Sequence, residues 1–427
     1  LDPIETVTLD DGPFAFARRE GMTTSNEGTP SFIQPSGFFG KSLIYRAQDK
    51  LVTLKQIERA INDSREKSGL PPLTIDRSAY RGEETIPGKL GNFARLFDER
   101  EKKPLIDAMV KAGVSVEQMD RFLILRHAIE RNARIRKINP RFPDAGAGEL
   151  NGMKLTDQYV NDLMQKEFGM SWNSAKGEWQ GQNEKGRIYN KLAKRVDDIN
   201  ATTLMIQEQG GLLTSEGREQ LANFYKYYVP LRGVFRDEEM AMDINEKTAG
   251  SGGTLSITGA GKEYISPKGR GSQAFSPLAV MFTERGVKTA RSVKNVSFGK
   301  RLVNLIQDFP NDEVWELYTP DSKQYKEAFE STYTYVGSDP NIPYGTKKRD
   351  VANEPDRKNW VKRVKMVESA PNAQTDELLG VVVDGEQYYV HFKDENLRRA
   401  AVNLDAQTTN RWVNALNRFT RYLSMVN

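Results

Sequence analysis

Residues 114–138, VSVEQMDRFLILRHAIERNARIRKI, decide how the chain is read. Ser115 followed three residues later by Gln118 forms a reciprocal cap. The serine hydroxyl accepts the Gln118 amide, and the glutamine side chain reaches back to the Ser115 amide. Val114 and Met119 flank that turn and can staple across it. No breaker interrupts the pattern until Pro140, which disfavours helix in the residue before it. A helix is therefore predicted from 115 to about 138. Just upstream, roughly 91–112 carries a second helical pattern ending at Gly113, suited to a left-handed C-terminal position. Two helices joined by so short a turn make an antiparallel hairpin. The chain is predicted to be mainly α.

The same reading extends outward in four parts. Residues 1–41 hold Gly12, Gly21, Gly28, Gly37 and Gly40 with Pro3, Pro13, Pro30 and Pro35. No period survives that spacing, so an extended lead-in is expected. Residues 42–244 read as a helical domain. Its first helix, Ser42–Arg65, carries Leu43, Ala47, Leu51, Leu54, Ile57 and Ile61 on one stripe. The hairpin follows, then a turn-rich loop at 139–153 and helices near 154–168, 186–209 and 215–228. Residues 245–274 are rich in Gly, Ser and Thr and read as a linker or long loop.

Residues 275–427 form the last part. A long helix near 276–308 stops before Pro310, and 311–356 has little periodicity. Strands are predicted at Trp360–Glu368 and within Leu378–Phe392, where Asp384-Gly385-Glu386 separates two β-rich runs. They suggest a small two- or three-stranded antiparallel sheet. The final stretch, Thr408–Asn427, spaces Trp412, Leu416, Phe419, Leu423 and Val426 by four, three, four and three. That is a terminal amphipathic helix whose seam expects a partner. The chain opens at Leu1 and stops inside this pattern, so both ends are expected to be cut.

Composition narrows the chemistry. Hydrophobic residues make up 38% and charged residues 28% of the 427. At roughly 100–200 residues per unit, two to four packed units are expected. Sixty-two basic residues against 58 acidic ones leave a net charge of +4, too balanced for a dedicated nucleic-acid binder. There is no cysteine, which excludes disulfides, thiolate metal sites and cysteine nucleophiles. His127 and His391 are the only histidines, so a three-histidine metal site cannot form within the chain. No stretch nears the ~18 apolar residues of a membrane span, and no signal peptide opens the chain. No cofactor is expected.

Each candidate for chemistry has a plain structural alternative. His127 and Glu130 lie three apart on one helix face and could offer two metal ligands, but a hydrogen-bonded histidine inside a helix hairpin explains them as well. His391 alternates with Tyr389 and reads as a cross-strand contact. Arg121, Arg126, Arg131, Arg134, Arg136, Lys137 and Arg141 form the most basic window. Arg126, Arg131, Arg134, Arg136, Lys137 and Arg141 are the candidate nucleic-acid contacts, set against a role at a helix C-terminus. Arg285, Lys288, Arg291, Lys294, Lys300 and Arg301 read as a solvated helix face. Asp197-Asp198 and Glu238-Glu239 read as exposed charge. The glycines of 250–261 lack the Gly-Lys-Ser/Thr of a phosphate loop.

Three ordered runs are more specific. Residues 126–148, RHAIERNARIRKINPRFPDAGAG, resemble a run of the form RHA-ERN…NP…PD-GSG found in very large phage proteins. Residues 225–233, YKYYVPLRG, resemble that group's Y-YVPLRG run, and Gly269-Arg270-Gly271-Ser272 resembles its GRGS run. The family is the large polyvalent proteins of phages, including genome-packaged antirestriction proteins, ejected virion proteins and giant virion-packaged RNA polymerases of podophages. The resemblance covers roughly 42–427. Gly146-Ala147-Gly148 departs from the family's Gly-Ser-Gly, and the chain stops where the family continues into a further helical region.

The resemblance implies a non-catalytic scaffold region and supplies no catalytic residue. It implies a virion location in the capsid interior followed by entry into the host. Implied partners are other parts of the same polypeptide, other virion or ejection proteins, and phage DNA as a candidate. Lack of cysteine suits passage between compartments of different redox state. The motif residues also invite folding roles. Pro230 would end the preceding helix, Arg232 would anchor the following loop on a carboxylate, and Arg131 and Asn132 would tie the 140–148 loop to its helix. Arg270 belongs to the same set. The rival expectations are a nucleic-acid-binding accessory region of a virion RNA polymerase or antirestriction protein, and an enzyme that cleaves peptidoglycan or protein.

Overall fold

A computed structural model describes residues 51–138, 148–150, 152–230, 276–335, 339, 341–343, 345–366 and 378–401. The expectations for the 1–41 lead-in, the 245–274 linker and the 408–427 helix lie outside these residues, as do Arg141, Arg232 and Arg270.

The described chain is mainly helical with small antiparallel sheets, the two three-stranded ones in its C-terminal half. Helix α1, Val52–Lys67, buries Leu54 and Glu58. A 3₁₀ turn, Ile75–Arg77, leads to α2, Ala79–Glu84, and α3, Ile86–Leu96. The helix predicted at 91–112 therefore begins earlier, and it is not uniform. A π-helical turn at Phe97–Lys102 joins α3 to α4, Lys103–Lys111. Pro104 has no N–H for the Arg100 carbonyl, and its ring crowds that turn. A wider turn accommodates both. Gly113 follows with φ +64°.

The Ser115–Gln118 cap forms in both directions, at 3.1 and 3.0 Å, and opens α5, Val116–Ile138. This helix is apolar on most sides, burying Met119, Phe122, Leu123, Leu125, Ala128, Ile129 and Ile135, as a central helix must. The expected loop ends in a two-residue hairpin, β1 Glu149–Leu150 and β2 Met153–Lys154. Helix α6, Asp157–Phe168, starts at the Thr156 cap. Then comes a hairpin the sequence reading missed, β3 Met170–Asn173 and β4 Glu178–Gly181, with Trp172 opposite Trp179. Helices α7, Glu184–Gln209, and α8, Ser215–Phe224, complete this half.

The long helix predicted at 276–308 is present as α9, Pro277–Lys294, a π-helical turn at Asn295–Gly299, and α10, Lys300–Asp308. It is an internal rod. Leu278, Met281 and Phe282 join the core built on α5, α6 and α7. Ala290, Val293, Phe298, Leu302, Val303, Leu305 and Ile306 join a second core with α1, α3 and the C-terminal strands. Both cores thus draw on residues from either side of 245–274.

The expected solvated face on this helix is corrected by the same packing. Arg285, Arg291 and Lys294 are buried. Arg285 Nη2 meets Glu101 Oε1 at 2.8 Å, and burial holds its basicity down. Spacing by three does drift around the helix, so the set divides: Lys288, Lys300 and Arg301 keep partial exposure, with Lys300 paired to Asp384 at 2.9 Å.

Beyond Pro310 the weakly periodic stretch holds β5, Trp315–Tyr318, a short helix α11, Lys323–Ala328, and strands β6, Phe329–Tyr335, and β7, Lys347–Lys348. Strand β8, Trp360–Met366, pairs with β6 rather than with the downstream hairpin. That hairpin, β9 Leu378–Val383 and β10 Glu386–Phe392, turns at Asp384 (φ +50°) and Gly385 (φ +82°), as the Asp-Gly signal predicts. Its third strand is β5. The two three-stranded sheets meet through aromatics, with Phe329 stacked on Tyr389 at 4.0 Å.

Candidate functional site

The six residues Tyr225–Pro230 lie as an irregular strap, turning at Lys226–Tyr227, across α5. The helix before it was expected to continue to Pro230, yet α8 stops at Phe224. The cause is tertiary. The Glu130 carboxylate accepts the backbone N–H of Lys226 on one oxygen and of Tyr227 on the other, both at 2.9 Å. Tyr225 is already extended at φ −138°, ψ 127°. Two amides bonded to a side chain on another helix are lost to any continuing α-helix.

The rest of the RHAIERN run holds the same strap. Arg126 is 6% exposed and grips Asp197 of α7 with both terminal nitrogens, at 2.8 and 2.7 Å. Its guanidinium also lies 4.2 Å from the Tyr227 ring centroid. Asp197 is thus not free surface charge. His127 stands edge-on to Tyr225, centroids 4.8 Å apart, and faces Tyr228 at 6.3 Å. Arg131 donates to the Tyr225 hydroxyl at 2.6 Å. Arg134 lies 3.8 Å over the Phe224 ring. From beneath, the Trp179 backbone donates to the Tyr227 hydroxyl and its indole to the Arg126 carbonyl, at 3.3 and 2.8 Å. Asn200 of α7 donates to the Tyr228 carbonyl at 3.0 Å.

Electrostatics follow from that enclosure. Burial first, and then the Arg131 charge, pushes His127 down to about 3, so its ring is neutral near pH 7. Burial raises the Glu130 carboxyl, while the two amides act to lower it. His127 and Glu130 do sit on one face, but both are committed to the strap and do not converge on a metal. Among the described residues, no group of three or more His, Asp or Glu is placed to hold a metal ion.

The basic window therefore divides. Arg126 and Arg131 are buried in protein contacts, and Arg134 stacks on Phe224. Arg136 pairs with Asp157 at 2.6 Å on a half-exposed edge, and Lys137 is exposed. The expected tie from Asn132 to the 140–148 loop falls on residues of which 140–147 lie outside the described ones. The Asn132 amide donates to the Leu155 carbonyl at 2.7 Å and to Asp157 at 2.9 Å, fixing the start of α6. Arg131 serves the strap through the Tyr225 hydroxyl. Pro230 ends the described strap and is buried. His391 makes its expected cross-strand contact, opposite Glu316, with Nδ1 3.5 Å from the carboxylate.

One chemically suggestive pair escaped the sequence reading. Lys89 Nζ lies 3.0 Å from Ser297 Oγ, and burial, then Arg301, pushes the amine down to about 8. An amine of lowered pKa beside a hydroxyl is how some nucleophilic serines are activated. Ser297, however, is 0% exposed, and α2 seats Gly82 directly on its carbonyl. A substrate cannot reach it in this conformation. The two residues are 208 positions apart, so no local signal joins them.

No protein-family model, curated protein or solved structure matches the chain. No helix among the described residues is long and apolar enough to cross a membrane.

Proposed function

We propose that this chain is a non-catalytic bracing region of a large bacteriophage polypeptide, carried in the virion and ejected into the host with the genome. One observation carries the bracing part. The two stretches with the fullest resemblance to large phage proteins, 126–148 and 225–233, meet through Arg126, His127, Glu130 and Arg131 on one side and Tyr225–Tyr228 on the other. Their distinctive side chains are used on each other. That use supports a role in holding a helical body together. The virion location and the partners, namely the rest of the polypeptide and other ejection proteins, rest on the resemblance.

Mass spectrometry of purified particles, matched to the full-length parent, tests the virion assignment. Peptides from 126–132 and 225–230 should appear in washed particles. Finding them in infected-cell lysate and never in particles overturns it.

A nucleic-acid accessory role is the second reading, favoured by the exposed Lys137 beside Arg136 at the end of α5. It predicts a salt-dependent DNA mobility shift that Lys137→Glu weakens while thermal stability is kept. Charge reversal at Arg126 or Arg131 does not test this reading, because it breaks the fold's own contacts.

A further inference from the structure

We infer that the strap 225–230 is an acid-released latch, in which a proton taken up by His127 detaches the strap from α5 while the second core stays folded.

The geometry leaves that proton nowhere to go. His127 is 2% exposed. The ring lies against the Tyr227 backbone, and its Nδ1 is buried with no hydrogen-bond partner. A second N–H at Nδ1 would have no acceptor, and a buried unpaired donor is costly. Among the described residues, the nearby carboxylates are engaged. Glu130 on the same helix holds the Lys226 and Tyr227 amides, Asp197 of α7 holds Arg126, and Glu178 of β4 holds Lys226 at 3.2 Å. The other charges near the ring, among the described residues, include the cations Arg126 and Arg131, both of which disfavour a second positive charge there, with Arg134 further along α5 and Lys226 on the strap. Tyr225, Tyr227 and Tyr228 complete the enclosure.

The strap is the part that yields because its amides are held by a side chain. Releasing Lys226 and Tyr227 from Glu130 breaks no helix and no strand pairing. Once released, the His127 ring faces water and recovers an ordinary pKa of about 6.5. The closed form prefers the neutral ring, so closure is favoured above that pH and weakens as pH falls below it. One proton of difference means a tenfold loss of closure per pH unit. Glu130 opposes this lower down. Its raised pKa makes the closed form take up a proton above the ordinary value of about 4.5, which eases the slope. Glu178, held low by Lys226, takes up its proton below that range. The clear window is about pH 6.5 to 5.

Amide hydrogen exchange on the full chain, corrected for intrinsic rates, tests the latch. Protection at Lys226 and Tyr227 should fall about tenfold per pH unit below 6.5, while the amides of Leu302–Ile306 in α10 stay protected. In His127→Asn the strap should lose this pH dependence. Should that variant not fold, ring NMR of the wild type decides, with His391 as internal reference. The His127 ring should stay neutral while the strap amides are protected and titrate only as they open. Strap protection that persists to pH 5, vanishes together with that of α10, falls as steeply in His127→Asn, or survives a protonated His127 ring overturns the proposal.

Discussion

Arg126 serves two partners at once, and its removal should show both. Arg126→Ala leaves Asp197 without its bidentate donor and strips the cation from the Tyr227 face. Asp197 keeps 33% of its side-chain exposure and can rehydrate, so the loss is set near 2–3 kcal/mol rather than at the top of the buried-pair range. Asp197→Ala leaves the guanidinium, 7% exposed, without an anion and should cost at least as much. Urea unfolding of both singles and the double should give a coupling of roughly 1–3 kcal/mol. Strict additivity would mean the pair does not brace α5 against α7. Asn132→Ala should cost about 1–3 kcal/mol, since the buried Leu155 carbonyl loses its side-chain donor. These contacts were only half legible. An Arg-His-x-x-Glu-Arg-Asn run on a helix announces polar groups on several faces, but not that a strap some ninety residues away will cover them. Charge on an amphipathic pattern is normally solvated, and nothing local marks the exception.

Elements bounded by a local device were legible, and those bounded by a distant contact were not. The Ser115–Gln118 cap, Gly113 and the Asp384-Gly385 turn each work through bonds within a few residues, and each appears where expected. The end of α8 depends on Glu130, and β8 pairs with a strand in a stretch too polar and irregular to show a period. The two π-helical turns divide the same way. The one at Phe97–Lys102 precedes Pro104 and so has a visible cause. The one at Asn295–Gly299 has a tertiary role. There the Asn295 amide donates to the Gly210 carbonyl at 2.8 Å and accepts the Val382 amide at 3.1 Å, closing the β9 edge. Two glycines test how tightly α2 and α3 are seated. At Gly82 a Cβ would land inside the Ser297 carbonyl, so Gly82→Ala should force α2 off the π turn and destabilise by about 2 kcal/mol or more. At Gly91, within α3, a Cβ meets nothing within 4 Å, and Gly91→Ala should stabilise by about 0.5–1 kcal/mol. Thermal melts of the two variants should move in opposite directions. A rise for Gly82→Ala would contradict the close approach.

Across the whole molecule, sequence periodicity predicted a mainly helical chain, because buried stripes are local, but not how the rod α9–α10 runs through both cores. That burial creates ionisable groups whose linkage to folding has opposite signs. His127 is neutral while the strap is closed and ordinary when the chain is unfolded, so its contribution is present above about 6.5 and is lost as pH falls, until the strap opens. Asp120 works the other way. Its carboxylate accepts the Leu278 amide at 2.9 Å at the start of α9, yet burial pushes it up to about 6. The fold therefore retains a proton that the unfolded chain releases near 3.8, and this contribution is present in acid and lost as pH rises from 3.8 through 6. Between about pH 5 and 6, while the strap is closed, the two slopes, each near 1.4 kcal/mol per unit, cancel; once the strap opens, His127 titrates in the folded chain and its slope disappears. Substituting either residue should uncover the other. Relative to wild type, Asp120→Asn should lose stability as pH falls through that range, and His127→Asn should gain it. Subtracting wild-type stability at each pH removes the groups common to all three proteins. Denaturant midpoints from pH 7 to 4 that run parallel for all three would show that neither burial is felt as linkage, and the internal placement of α5 and the start of α9 would then be wrong.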